Sequence, residues 1–251
     1  MSVYAIDEKK LTLSSHHFDK MSAEEIRALI CQTEILHDLP RQTCDALLAS
    51  GRIVQAPAGA HLFDQGESAE RCYVLLSGEI KLLLLTPEGK RVIIDIIGPG
   101  MHLGFFVALT ENVYPISAEP VEASYLYSWD AMILRGIILD TPRLILNALS
   151  ALTKRVMCLQ NKVQHLATER VEQRIAHSLL TLAHHVGKEL DEGVLINMPL
   201  THRDLAEMSG TNIYSVSRIL HKWETHAIIE TGRKRVVLRS PERLPCHAAK
   251  E

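Results

Sequence analysis

Tyr214, Ser217, Arg218 and His221 follow one another at intervals of three, one and three residues. On a helix that spacing collects four hydrogen-bonding side chains on one face. Val216, Ile219, Leu220 and Trp223 fall on the opposite face. A polar row backed by an apolar one suits the reading of base edges, and the planar fork of Arg218 matches guanine O6 and N7. Upstream, Thr201 and Asn212 are each placed to cap a short helix, with Ser209-Gly210-Thr211 breaking the chain between them. Leu200–Trp223 therefore predicts a helix-turn-helix whose second helix, begun by Ile213 and Tyr214, lies in a major groove of double-stranded DNA. The next run, IIETGRKRVVLRS, predicts a hairpin wing that carries Arg233, Lys234 and Arg235 to phosphates. An ordinary αα-hairpin with a solvated basic strand explains neither the small turn nor the outward polar face.

Other reactive side chains form no comparable pattern. No nucleophile elbow, phosphate loop or HExxH occurs, so the sequence does not predict an enzyme. Cysteines at 31, 44, 72, 158 and 246 are odd in number and scattered, without a CxxC. They predict free thiols, with the reactivity of Cys31, Cys72 or Cys158 set by exposure. Thirteen histidines make haem a candidate cofactor, and His61, Met101 and His102 are its candidate axial ligands. His16-His17 and His184-His185 read as solvated pairs, and no metal site is predicted.

These residues must be positioned by elements of more than one kind. Residues 22–50 read as helical, with Ser22 and Glu25 in the form of a capping box. From about 52 to 130, short apolar runs (RIVQA, HLFDQ, CYVLL, EIKLLLL, RVIIDII, SYLYSW) alternate with glycine turns and predict an antiparallel barrel or sandwich. Helical pattern returns near Trp129, and Thr141-Pro142 predicts the cap and first turn of a long helix. Along it Ile145, Leu149, Leu152, Val156, Leu159, Val163 and Leu166 repeat at 4-3-4-3-4-3, the seam of a parallel dimer. A helix packed only on its own domain is the plainer alternative. A further helix over 169–186, a turn at Gly187 and a polar link through Asp191-Glu192-Gly193 lead to the helix-turn-helix. The chain thus divides into a sensor over 1–136, a dimerisation helix over 137–167 and a DNA-binding part over 168–251, the two larger parts each with a core.

Net charge hides a division of labour. Residues 1–166 carry net −4 and residues 167–251 net +1, so a local basic patch sits on an acidic protein. No apolar run is long enough to span a membrane, and the N-terminus lacks the form of a signal peptide, which together predict a cytoplasmic protein.

The order of barrel, long helix and winged helix-turn-helix resembles the Crp/Fnr family over nearly the whole chain. The resemblance is carried by Gly66-Glu67, Gly78, the TPEGK turn at Thr86–Lys90, Gly100 and Gly104, then by Asp204-Leu205-Ala206, Gly210 and Ser217-Arg218-Ile219-Leu220. It implies an α+β fold: a cyclic-nucleotide-binding-like β-roll, a dimerisation helix and a C-terminal winged helix-turn-helix. It further implies a homodimeric transcription regulator that binds an inverted-repeat operator and, if an activator, meets RNA polymerase. Effector-binding positions carried over are Met101, His102, Gly104, Phe105 and Ser117. The departures bear on the signal. Phe105 follows Gly104 where cAMP-binding members have a glutamate, and Ile116 precedes Ser117 where they have an arginine. Cys31 and Cys44 do not match the N-terminal cysteine cluster that holds a 4Fe–4S centre. The expected effector is therefore neither cAMP nor that cluster, leaving haem or another small molecule, or a ligand-independent regulator with a vestigial barrel. Tyr214 stands where the family commonly has glutamate, which predicts half-sites that keep the guanine and change the base beside it.

Overall fold

The computed structural model describes residues 22–110, 113–232 and 235–245. Ser22 opens α1 (Ala23–Cys31) through the predicted box: its hydroxyl accepts from the Glu25 amide at 3.2 Å, and its amide donates to Glu25 Oε2 at 2.7 Å. Pro40 then begins α2 (Arg41–Ser50), so the stretch is two helices.

Seven strands follow: β1 (Arg52–Ala56), β2 (Arg71–Ser77), β3 (Ile80–Leu85), β4 (Arg91–Ile97), β5 (His102–Leu103), β6 (Ser117–Pro120) and β7 (Ser124–Asp130). A short helix, α3 (Phe105–Thr110), interrupts them after β5. They form two antiparallel sheets, ordered β1-β7-β2-β5 and β4-β3-β6. The interior of the roll is filled by Phe63, Tyr73 and Tyr114 among aliphatic side chains. Phe63 stacks on Tyr114 with centroids 3.9 Å apart. The hairpin between β2 and β3 needs Gly78, whose φ is +94° and where a Cβ would collide with Ser124. One expectation fails here. HLFDQ makes only an isolated bridge, Phe63 to Ala118, because its chain is turned by Gly59 and Gly66, both at positive φ. Trp129 belongs to β7, and helix resumes at α4 (Ala131–Leu139), capped by Asp130.

The long helix is α5 (Pro142–Thr168). Thr141 occupies its cap position without a side-chain hydrogen bond, so the fixed φ of Pro142 is the device that starts it. One face, Leu144, Asn147, Ala148 and Ala151, packs on the sensor. Asn147 Nδ2 donates to the Ile35 and His37 carbonyls at 3.0 and 2.9 Å, satisfying a buried polar group.

Beyond it lie α6 (Val171–Val186), β8 (Gly187–Leu190), β9 (Gly193–Ile196), α7 (His202–Ser209), α8 (Ile213–Thr225), β10 (Ile229–Gly232) and β11 (Arg235–Leu238). The expected turn at Gly187 and polar link are in fact a hairpin, β8–β9, which joins the wing in a sheet ordered β10-β11-β9-β8. Its apolar signal, Val194 to Ile196, is too short to stand out from a loop. The sensor has buried clusters of its own, and the cluster of the reader extends onto it. Leu83, Ile93 and Ile96 of β3 and β4 share one buried cluster with Ile175, Leu179, Leu205 and Trp223.

Candidate nucleic-acid interface

Thr201 and Asp204 close a capping box on α7, with the Thr201 hydroxyl accepting from the Asp204 amide at 3.1 Å. Gly210 then turns the chain at φ +61°, and Asn212 Oδ1 accepts from the Ser215 amide at 2.9 Å to start α8. The caps thus engage the Thr201 and Asn212 side chains, and both residues stay exposed at the starts of their helices.

The buried face of α8 is Val216, Ile219, Leu220 and Trp223. Tyr214 is 87% exposed, and Ser217, Arg218, His221 and Ile213 are exposed beside it. Trp223 Nε1 and Lys222 Nζ donate to Glu172 Oε1 at 3.1 and 3.0 Å, tying the back of α8 to α6. The polar face has nothing packed against it among the described residues. The wing forms as predicted, with Ile229 to Gly232 opposite Leu238 to Arg235. Arg235 is exposed, 3.7 Å from Glu230. Arg233 and Lys234 lie outside the described residues, as do His16, His17 and Cys246.

The seam of α5 keeps its predicted spacing on the face turned away from the sensor. Leu149, Leu152, Val156, Leu159, Val163 and Leu166 are exposed, Val163 by 66%. Ile145 departs from them, being partly covered by the sensor core. The flanking cations reach across to the sensor. Lys154 meets Glu34 at 2.7 Å, Arg155 meets Asp95 at 2.6 Å, and Lys162 Nζ donates to the Ile93 and Ile94 carbonyls at 2.9 Å.

The expected effector positions are largely committed to packing. Gly104 takes φ +69°, and a Cβ there would press on the Arg71 carbonyl. Phe105 is buried in the core beneath α4, and the Ser117 hydroxyl accepts from the Gln65 amide at 2.9 Å. Strand alternation splits Met101 from His102: Met101 packs on the roll interior, while the His102 ring meets Phe105 and Phe106 edge-on. Burial holds His102 down at about 4, so it is neutral. His61 is exposed and hydrogen-bonded to Asp64, which raises its pKa and removes it as a haem ligand in an apolar pocket. The three do not converge on one site.

Two contacts that sequence reading missed join sensor to reader. Lys81 on β3 meets Asp204 on α7 at 2.7 Å, both nearly buried, across 123 residues of chain. Asp95 on β4 meets His185 on α6 at 3.2 Å as well as Arg155. His185 is therefore a buried partner, correcting its reading as solvated. Burial acts against charge on both, but the His185 and Arg155 charges hold Asp95 at about 2, and Asp95 raises His185 above the usual histidine range. No local spacing signals either contact, because each is made by tertiary approach.

Residues 53–140 match the model of the cyclic nucleotide-binding domain, and residues 173–245 match that of the Crp-like helix-turn-helix domain. The chain is 25% identical over 216 residues to the CRP-like cAMP-activated global transcriptional regulator of Mycobacterium tuberculosis, covering 86% of this chain and 96% of that protein. It is 25% identical over 203 residues to the global nitrogen regulator of Synechococcus elongatus, with 77% and 90% covered. The solved structure of FixK2 from Bradyrhizobium japonicum superposes with a TM-score of 0.71 at 18% identity, over 80% of this chain and 98% of that one, a likeness of fold. Among the described residues no helix is long and apolar enough to cross a membrane.

Proposed function

The chain belongs to the Crp/Fnr family of transcription regulators, and on that premise we propose that it works as a non-enzymatic homodimer that reads an inverted repeat in double-stranded DNA. The observation that carries this reading is the exposed polar face of α8, with Arg218 and Tyr214 at its centre. The proposed parts are a sensor over 1–136, a dimer helix over 137–167 and a reader over 168–251. Two copies joined along Leu149, Leu152, Val156, Leu159, Val163 and Leu166 place their recognition helices about one helical turn apart on DNA. As an activator the dimer meets RNA polymerase on the bound operator.

Arg218 takes guanine by its fork, and Tyr214 offers a ring to a thymine methyl where a carboxylate would accept from cytosine. Selection from random DNA with the purified protein tests this. The expected result is an inverted repeat that keeps the guanine and departs from the family consensus beside it. Return of the unaltered consensus, or no enriched site, overturns it.

The effector is a small molecule other than cAMP. Buried Phe105, the committed Ser117 and the absence of arginine at position 116 leave the ribose and phosphate of cAMP without their charged partners. A 4Fe–4S centre lacks support as well, since Cys31 and Cys44 do not match the N-terminal cysteine cluster that holds one. Haem has one neutral imidazole in reach, His102, with the ring closed in by Phe105 and Phe106. The aromatic filling of the roll favours a second reading, a regulator that needs no ligand. An absorbance spectrum with added haem, followed by calorimetry with cAMP and a metabolite panel, separates the two.

A further inference from the structure

Where the dimer helix ends and the reader begins, three side chains converge that no expectation from sequence brings together. His165 is in the last turn of α5, Glu169 is the residue that ends that helix, and His177 lies two turns into α6. Their ligand atoms all lie within 4.8 Å of one another. His177 Nε2 is 3.0 Å from Glu169 Oε1, and His165 Nε2 is 3.8 Å from the same oxygen. Tetrahedral coordination at zinc-like bond lengths requires donor separations of about 3.3 Å, which these two distances bracket. The imidazole rings stack with centroids 3.9 Å apart and planes 15° from parallel, so one ring turns about its side-chain torsions for both in-plane lone pairs to meet a shared ion.

Two further features point to a bound cation. Glu169 Oε2 is enclosed and has no hydrogen-bond partner, an orphan that an ion would satisfy. The side chains are 31%, 18% and 28% exposed for His165, Glu169 and His177, which leaves an ion a way in and room for a water as fourth ligand. Two imidazoles and one carboxylate suit a borderline divalent ion such as Zn2+ better than Mg2+ or Ca2+.

We propose that His165, Glu169 and His177 form a divalent transition-metal site that clamps the joint between α5 and α6. The joint matters because α6 is fixed to the reader: Arg174 donates to the Ser209 and Gly210 carbonyls at 2.8 and 3.2 Å, and Glu172 holds Lys222 and Trp223. An ion held by both helices fixes the angle at which the recognition helix leaves the dimer helix. Any effect on operator binding rests on the regulator reading, and it is separable because the ion is scored without DNA.

The test is titration of the untagged full chain with Co2+, followed by Zn2+ competition and amide exchange across 165–177. The expected result is one Co2+ per chain with visible d–d bands, displacement by Zn2+, and slower exchange at the joint. His165→Gln and His177→Gln each weaken binding by more than about 100-fold, beyond the loss of an outer-shell partner. His184→Gln and Cys158→Ser leave it unchanged, and circular dichroism confirms that all variants fold. No binding at submillimolar Co2+ overturns the site. So does wild-type affinity in His165→Gln or His177→Gln, and unchanged exchange on binding overturns the clamp.

Discussion

At the scale of single residues, the reader separates the groups that build it from the groups that face outward. Thr201, Asp204 and Asn212 spend their polar atoms on caps, and Asp204 also meets Lys81. Arg218 and Tyr214 are exposed and spend theirs on nothing among the described residues. Arg218→Ala is expected to cost about 1–3 kcal/mol in discrimination of the half-site guanine while leaving thermal stability intact. Fluorescence anisotropy against matched and guanine-substituted operators measures it. Tyr214→Glu is expected to change which base is selected beside that guanine, toward cytosine, and selection from random DNA reads the change directly. Gly210 is different in kind, since φ +61° and the side chain of Leu166 3.1 Å from where its Cβ would lie leave little room. Gly210→Ala is expected to lower the melting temperature, at a cost of about 1 kcal/mol or more.

At the scale of elements, α5 has two jobs on two faces. Its inner face is held to the sensor by Asn147 and the Arg155–Asp95 pair, and its outer face presents the apolar stripe. Substitutions on the two faces should therefore fail differently. Asn147→Ala strands the Ile35 and His37 carbonyls and is expected to cost about 1–3 kcal/mol of stability, seen as a lower melting temperature. Leu152→Glu or Val156→Glu leaves the fold intact, turns a dimer into a monomer in sedimentation, and abolishes operator binding. A dimeric, fully active Leu152→Glu protein would remove the coiled-coil reading.

At the scale of the whole molecule, the reader is docked on the sensor through charge as well as apolar surface. His185 faces Asp95, with Arg155 and Lys162 close by and His184 adjacent. Glu79, pushed up to about 7 by burial and the neighbouring Glu122, faces Lys188 of the β8–β9 hairpin. The folded pKa values of His185 and Glu79 are raised, so their contribution is complete below the unfolded values and is lost as pH rises through the folded ones. Asp95 is depressed to about 2, so its contribution is lost only as pH falls from the ordinary carboxylate range toward that value. Docking is therefore expected to be tightest near the ordinary carboxylate range and to loosen as pH rises, first up to about 7 through Glu79 and then above the ordinary histidine value through His185. Amide exchange in α6 and β4, corrected for intrinsic rates, should show protection falling across that range. His185→Gln should flatten part of the fall, and an unchanged slope would remove His185 from the linkage.

The sequence by itself determined the elements whose signals are local. Capping residues, a glycine turn and a 3-1-3 polar row made the helix-turn-helix legible, and a 4-3 repeat did the same for the exposed stripe of α5. The roll was legible as alternating short strands and turns, though HLFDQ looked like a strand until its flanking glycines bent it away. Tertiary structure alone decided what depends on approach between distant segments. The β8–β9 hairpin is too short to announce itself and exists by pairing with the wing. Lys81 finds Asp204, Asp95 finds His185, and His165, Glu169 and His177 meet around a helix joint. Ser117 and Phe105 stand at effector positions of the family, and packing commits them elsewhere. Periodicity reports which face of an element is apolar, and it carries no information on which distant partner will cover or charge-match that face.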